Sequence, residues 1–237
     1  MTTLSNPTTL ANPNTLTNPA ILSNPVERVL SRLYAEAEEN DRRTDSELRA
    51  VTGSSGHGHV DEEALSPILN RRFMAVAPEV GRFFYLLART HRPARVVEFG
   101  TSFGLSAIHL AAALRDNGSG HLITTEKDAA KALRSAEHFQ QAGLADLIEV
   151  RQGDAFETLA GVEKIDMLVL DGWKPLYLPL LRRLEPALSP RCLVVADDIV
   201  RFSAEVGPYL EYVRDAANGY LSCEIPLDDG VEVSFRG

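Results

Sequence analysis

The sequence predicts a doubly wound α/β fold: a sheet of about seven strands, mostly parallel with an antiparallel C-terminal strand, and helices on both faces. Three observations carry this. The chain has 237 residues, 44% of them hydrophobic, enough for one sizeable core. From about residue 95 onward, short apolar runs alternate with stretches of helical length, the signature of βαβ units and a sheet covered on both faces. The chain closes with two further strand-like runs around Asp228-Asp229-Gly230, a turn signal.

Residues 1–25 stand apart. Asn-Pro recurs at 6–7, 12–13, 18–19 and 24–25, with Leu4, Leu10, Leu16 and Leu22 two residues ahead of each pair. Proline in each unit removes a backbone donor and turns its asparagine away from helix, so no β-solenoid is expected. The segment reads as a disordered tail, or alternatively as an arm that docks its leucines on a partner subunit. The remainder, 26–237, reads as one domain, with a helical cap over 26–90 and a core over 91–237.

Within the cap, Val26, Val29, Leu30, Leu33 and Tyr34 recur at helical spacing and predict a helix to about Asn40. Val51–Val60 is a Gly/Ser/His loop, and Asp61 is placed to cap a short helix through Leu69. Pro78–Thr90 reads as another helix, with Pro78 in its first turn and Val80, Phe83, Phe84 and Leu87 on one side. In the core, strands are predicted at 95–98, 121–125, 147–150, 165–170 and 193–196. Helices are predicted at 104–114, 128–141, near 156–159, at 178–188 and at 204–217, the last ending at a left-handed cap, Asn218-Gly219. Strands over 220–225 and 231–235 complete a Rossmann-like sheet. Ligands of such a sheet bind beyond the C-terminal ends of its strands.

Composition excludes several function classes. A net charge of −9 with no basic run argues against nucleic-acid binding. The longest apolar stretches fall far short of a membrane span, and the N-terminus has no secretory signal pattern. The two cysteines, Cys192 and Cys223, lack metal-ligand spacing and suit packed, reduced thiols in a cytoplasmic protein.

The segment Glu98-Phe99-Gly100-Thr101-Ser102-Phe103-Gly104 joins the first core strand to its helix. A cofactor lying over such a turn needs close backbone approach, which Gly100 and Gly104 permit; packing of strand on helix also selects glycine. Ser106 falls in the first helical turn, and Glu98 is placed to accept hydrogen bonds. The second strand ends at Glu126, where a carboxylate can hold both hydroxyls of a ribose. A dinucleotide site is the rival, but position 102, where its middle glycine would fall, is Ser.

From about Phe73 to Gly237 the chain resembles the cation-dependent O-methyltransferases, the group that includes catechol and caffeoyl-CoA O-methyltransferases. Met74–Gly81, which contains Val76, is similar to the family's opening segment, and Glu98–Ser106 to its E-x-G-x-x-x-G-x-S loop. Glu126 falls where the family has its ribose-binding acid, and Gly153-Asp154-Ala155 resembles its adenine-side loop. Asp171-Gly172-Trp173-Lys174 with Tyr177 is similar to the family's D-x-x-K-x-x-Y segment, and Asp197-Asp198 to its Asp-Asn pair. The resemblance implies S-adenosylmethionine as cofactor, held by Val76, Glu98, Gly100, Thr101, Ser102, Gly104, Ser106, Glu126, Asp154, Ala155, Asp171 and Trp173. It also implies a divalent cation, Mg²⁺ foremost, on Asp171, Asp197 and Asp198, with Lys174 and Asp171 catalytic. Asp198 departs from the usual Asn and adds negative charge; Trp173 occupies a position that is acidic in some members.

The aspartates make chemical sense on their own. Asp171 and Asp197 end adjacent strand predictions and project from one sheet edge. Hard cations take oxygen ligands and keep positions for water or substrate. Two vicinal aromatic hydroxyls would fill those positions and ionise more easily there. Lys174, three residues beyond Asp171, is placed to accept a proton from such a hydroxyl; a solvated helix-start lysine is the alternative. For Asp197-Asp198 the alternative is helix capping.

The remaining features are weaker. His57-Gly-His59 suits a flexible loop more than a metal pair, and His91, His109, His121 and His138 show no partner in the sequence. Trp173 is placed to stack on an acceptor ring or adenine. The expectation is therefore a methyltransferase acting on a small catechol-like aromatic acceptor, with an N-terminal arm suited to a dimer contact. A metal-independent methyltransferase, a non-catalytic scaffold and a nicotinamide dehydrogenase are the competing classes.

Overall fold

The computed structural model describes residues 24–52, Ile68 and 71–237. The Asn-Pro tail up to residue 23, the loop with His57 and His59, and the short helix expected from Asp61 lie outside the described residues, Ile68 excepted.

Seven strands, β1 (Arg95–Phe99), β2 (His121–Glu126), β3 (Ile148–Gln152), β4 (Ile165–Leu170), β5 (Leu188–Ala196), β6 (Tyr220–Ile225) and β7 (Val231–Arg236), form one sheet. Their order is β3-β2-β1-β4-β5-β7-β6. Strands β3, β2, β1, β4 and β5 pair in parallel, and β7 runs antiparallel to both β5 and β6. The order reverses between β1 and β4, the neighbours at the centre, and this opens a crevice beyond their C-terminal ends. Both central strands are almost wholly buried, as strands covered on two faces must be.

On one face lie α1 (Asn24–Thr52), α2 (Pro78–His91), α3 (Leu105–Asn117) and α4 (Ala129–Gln141). On the other lie the single-turn α5 (Ala155–Thr158), α6 (Tyr177–Leu184) and α7 (Ser203–Arg214). Local chemistry sets their ends. Asp128 caps α4 by accepting from Lys131 N at 2.9 Å, and Gly118 closes α3 in the left-handed conformation. No helix among the described residues is long and apolar enough to cross a membrane.

Four boundaries depart clearly from expectation. Helix α1 runs to Thr52, well past Asn40. Among the described side chains its buried apolar stripe ends at Ala37, and beyond it the helix carries pairs at helical spacing, Arg42 with Glu39 at 3.1 Å and Arg43 with Glu39 at 2.6 Å. Helix α6 stops at Leu184 rather than 188, where a 3-10 turn, Glu185–Ala187, carries Pro186; strand β5 then starts at Leu188, five residues before the expected 193. Its early residues are half-exposed and irregularly paired, with a register shift opposite Ile165–Met167. Finally, α7 ends at Arg214, and Gly219 caps a separate 3-10 turn, Ala216–Asn218.

Candidate active site

The β1–α3 loop is a knot of backbone constraints. Gly100 and Gly104 have φ of +103° and +90°, a region that costs a side chain dearly. A Cβ on Gly100 would lie 2.5 Å from the Asp171 carbonyl oxygen, and one on Gly104 would lie 2.5 Å from the Phe139 ring. The space beside these glycines is thus filled by the protein itself. They let the β4 exit and α4 close against the loop, and strand–helix packing accounts for them.

Ser102 has φ of +45°, and its amide donates to Glu126 Oε2 at 2.7 Å. Glu126 Oε1 accepts from Asp128 N at 2.9 Å. Two backbone donors therefore fix the carboxylate at the β2 edge. The Thr101 side chain points inward to Thr124, Oγ1 to Oγ1 at 2.6 Å, and Thr124 in turn donates to Glu98 Oε2 at 2.5 Å. Glu98 is fully buried, and its Oε1 is an acceptor without a partner among the described residues. Burial raises its pKa to about 7, with the Thr124 and Ser106 hydroxyls opposing and the Glu126 charge adding. Asp154 spends one oxygen capping α5 through Phe156 N at 2.8 Å, while Ala155 is buried. Gly153 N donates to Glu126 O at 2.8 Å, tying the β2 and β3 exits together.

A strap before α2 lies against this loop. Ser102 Oγ donates to Phe73 O at 2.6 Å, and the Phe73 and Phe103 rings stack with centroids 4.1 Å apart. The strap is held by α1: Asp41 accepts from Phe73 N at 3.2 Å, and Arg72 pairs with Asp45 at 2.5 Å. Val76 is buried in the same segment. Lys131 Nζ lies 3.3 Å from Ser102 Oγ and 5.4 Å from the Phe103 ring centre, and His138 Nδ1 donates to Phe103 O at 2.9 Å. Phe73, Thr124, Lys131 and His138 thus shape the loop, although the sequence marks none of them. The one cue is Lys131 in the turn that follows the Asp128 cap.

At the β4 and β5 exits, Asp171, Asp197 and Asp198 each offer an oxygen, and the three oxygens lie within 4.8 Å of one another. Asp171 N donates to Phe99 O at 2.9 Å, and Asp197 N to Leu170 O at 3.0 Å. The loop beyond β5 is zipped to the β6–β7 turn, Ile199 N to Gly230 O at 3.1 Å and Val200 N to Asp229 O at 2.8 Å. This sets Asp198 in a left-handed conformation, φ +60°, which Asp and Asn tolerate better than most residues. Burial, followed by the neighbouring Asp198 charge, raises the pKa of Asp197 to about 7. Burial also drives that of Asp171 well up, against the pull of Lys174 and with the other two aspartates adding. Crowded carboxylates that resist their own charge are a donor set suited to a hard divalent cation.

Lys174 is buried among them. Its Nζ donates to Tyr177 Oη at 2.9 Å and pairs with Asp198 Oδ2 at 2.9 Å and Asp171 Oδ1 at 3.7 Å. Burial works against the ammonium, but Tyr177, Asp171 and Asp198 outweigh it and hold lysine above its ordinary range. Trp173 stands at the rim, 45% exposed. Glu98, Glu126 and the aspartates therefore share one sheet edge, as expected. A second acid group, Asp198 with Asp228 and Asp229, adjoins it.

Residues 97–199 match the model of a methyltransferase domain family, over both halves of this edge. Over those residues the chain is similar to that methyltransferase domain. Among relatives, a catechol O-methyltransferase of Niastella koreensis is 33% identical over 133 residues, covering 54% of this chain and 59% of its own length. Catechol O-methyltransferase B of Danio rerio is 29% identical over 176 residues, covering 68% of this chain and 65% of its own. The chain thus spans under two thirds of either relative. The O-methyltransferase TomG of Streptomyces achromogenes, solved with S-adenosylmethionine, superimposes on the domain with a TM-score of 0.64 at 21% identity, covering 92% of each chain. At that identity the likeness shows the fold alone.

Proposed function

We propose that the chain is an S-adenosylmethionine-dependent O-methyltransferase that uses a divalent cation, Mg²⁺ foremost, to methylate a small aromatic acceptor with vicinal hydroxyls. The observation that carries this reading is the convergence of Asp171, Asp197 and Asp198 around buried Lys174, on the sheet edge that also bears Glu98 and Glu126. The names of the relatives and of the solved neighbour support the reaction class.

In this reading S-adenosylmethionine, when bound, supplies a methyl group on an electrophilic sulfonium. Glu126, held by the Ser102 and Asp128 amides, presents its remaining lone pairs to the ribose hydroxyls. The unpartnered Oε1 of Glu98 accepts from a donor on the cofactor or its water. Val76, Gly100, Thr101, Ser102, Gly104 and Ser106 shape the floor, Asp154 and Ala155 the adenine side, and Trp173 the rim. Asp171, Asp197 and Asp198 would hold the cation, which when bound makes an acceptor hydroxyl easier to ionise. Lys174 carries its proton in the cation-free protein and faces the aspartates. It therefore orients an acceptor oxygen first and takes a proton only when a second positive charge lies nearby. The cap of α1, the strap and α2 covers the core and limits water.

Labelled methyl transfer to a panel of aromatics tests this. Vicinal diols should be methylated at least about a hundredfold faster than single-hydroxyl analogues, since a lone oxygen forfeits one contact of a charged pair. Equal rates on single hydroxyls or amines would instead favour a metal-independent methyltransferase, a reading that the self-contained Lys174–Asp198 pair supports.

A further inference from the structure

The Lys174–Asp198 pair and the cation reading make competing demands on one carboxylate. Asp198 Oδ2 lies 2.9 Å from the Lys174 ammonium, yet the Asp198 carboxylate also belongs to the three-acid group whose oxygens lie within 4.8 Å of one another. A cation bound by that group would sit roughly 2.0–2.6 Å from its oxygens. That would place it within a few ångströms of the ammonium, and two positive groups so close in a partly buried site repel strongly. One of them must give way.

The surroundings show which part moves. The Asp198 side chain is 29% exposed, against 12% for Asp171, and Asp197 is buried; Asp198 has the most room to turn. Lys174 has a second seat in place. Its Nζ lies 5.2 Å from the Tyr177 ring centre and 5.6 Å from that of Phe202, and aromatic faces hold an ammonium without a carboxylate. The formal charges agree: three carboxylates and one ammonium leave a deficit that one divalent cation cancels. The Asn that the family pattern expects at 198 would form no ion pair with Lys174, so the coupling belongs to this chain's Asp.

We propose that Asp198 is an exchangeable positioning residue, which neutralises Lys174 in the cation-free protein and turns to the cation when one binds, so that cation occupancy sets where the Lys174 amine lies. The inference rests on the cation reading given above. By reciprocity, whatever the cation does to the Lys174–Asp198 pair, the pair does to cation affinity.

Mn²⁺ alone is the probe. Free Mn²⁺ is followed by its electron paramagnetic resonance signal at pH 8, in the wild type and in Lys174→Met. The variant should bind Mn²⁺ at least about tenfold more tightly, equivalent to about 1.4 kcal/mol; unchanged or weaker binding overturns the coupling. Because Lys174 is buried and its loss could impair folding, a second measurement leaves it in place. The chain has only four lysines, so amine acetylation is read site by site by mass spectrometry. Mn²⁺ should speed labelling of Lys174 several-fold relative to exposed Lys127 and Lys164 in the wild type, and by a clearly smaller factor in Asp198→Asn, which has no ion pair to release. Wild-type labelling of Lys174 that ignores bound Mn²⁺ overturns the exchange. A wild type that binds no Mn²⁺ overturns the cation reading itself, and the resonance titration reports that outcome separately.

Discussion

Glu98 carries the sharpest consequence of a single side chain. It is fully buried, and burial raises its pKa to about 7 from an ordinary carboxyl value of 4.5. Between those values the folded protein binds more protons than the unfolded chain, so this residue makes stability fall as pH rises from about 4.5 to 7, and level off above. Glu98→Gln, uncharged at every pH, should remove that share of the slope and be the more stable protein at pH 7.5, by roughly 1–3 kcal/mol. Denaturant unfolding of both proteins at pH 5 and pH 7.5 checks this; an unchanged slope would show that Glu98 ionises freely. At the same scale, the acids were readable because their positions follow from where strands end. Glu98, Glu126, Asp171 and Asp197 lie within one residue of strand termini on one sheet edge. Thr124 and Lys131 were not readable. Thr124 is an ordinary strand residue until Thr101 and Glu98 meet it from another strand and loop, and no local pattern encodes such a meeting.

At the scale of elements, the β1–α3 loop is held by what crosses it. Gly100 faces the Asp171 backbone and Gly172 faces the Phe99 ring, so the exits of β1 and β4 interlock through two missing side chains. Gly100→Ala would combine a clash of backbone with an unfavourable φ and should cost about 2 kcal/mol or more, read as a lowered melting temperature with or without S-adenosylhomocysteine. A variant as stable as the wild type would mean that the two exits are looser than this packing. The sequence shows these glycines plainly but cannot say whether a ligand or the protein fills the space beside them. Element boundaries followed apolar periodicity closely in the core, as at β4 and β6. They failed where other forces take over, in the ion-paired second half of α1 and the half-exposed start of β5.

For the molecule as a whole, alternating apolar and helical segments were enough to predict the sheet and its final antiparallel strand. The order β3-β2-β1-β4-β5-β7-β6 was not legible, because it is set by which strands pair across long crossovers. Parallel pairing already puts these strand exits on one edge; the order sets the β1 exit beside that of β4, and so brings Glu98 close to the aspartates. In the proposed function this edge performs cation-assisted methyl transfer. The most direct measurement is the initial rate of labelled methyl transfer from S-adenosylmethionine to a vicinal-diol aromatic, before exhaustive chelation, after it, and after Mg²⁺ or Mn²⁺ is returned. The rate should fall at least about a hundredfold on chelation, some 2.7 kcal/mol in the barrier, and recover with the metal; a rate unchanged by chelation would mean that methyl transfer here needs no cation.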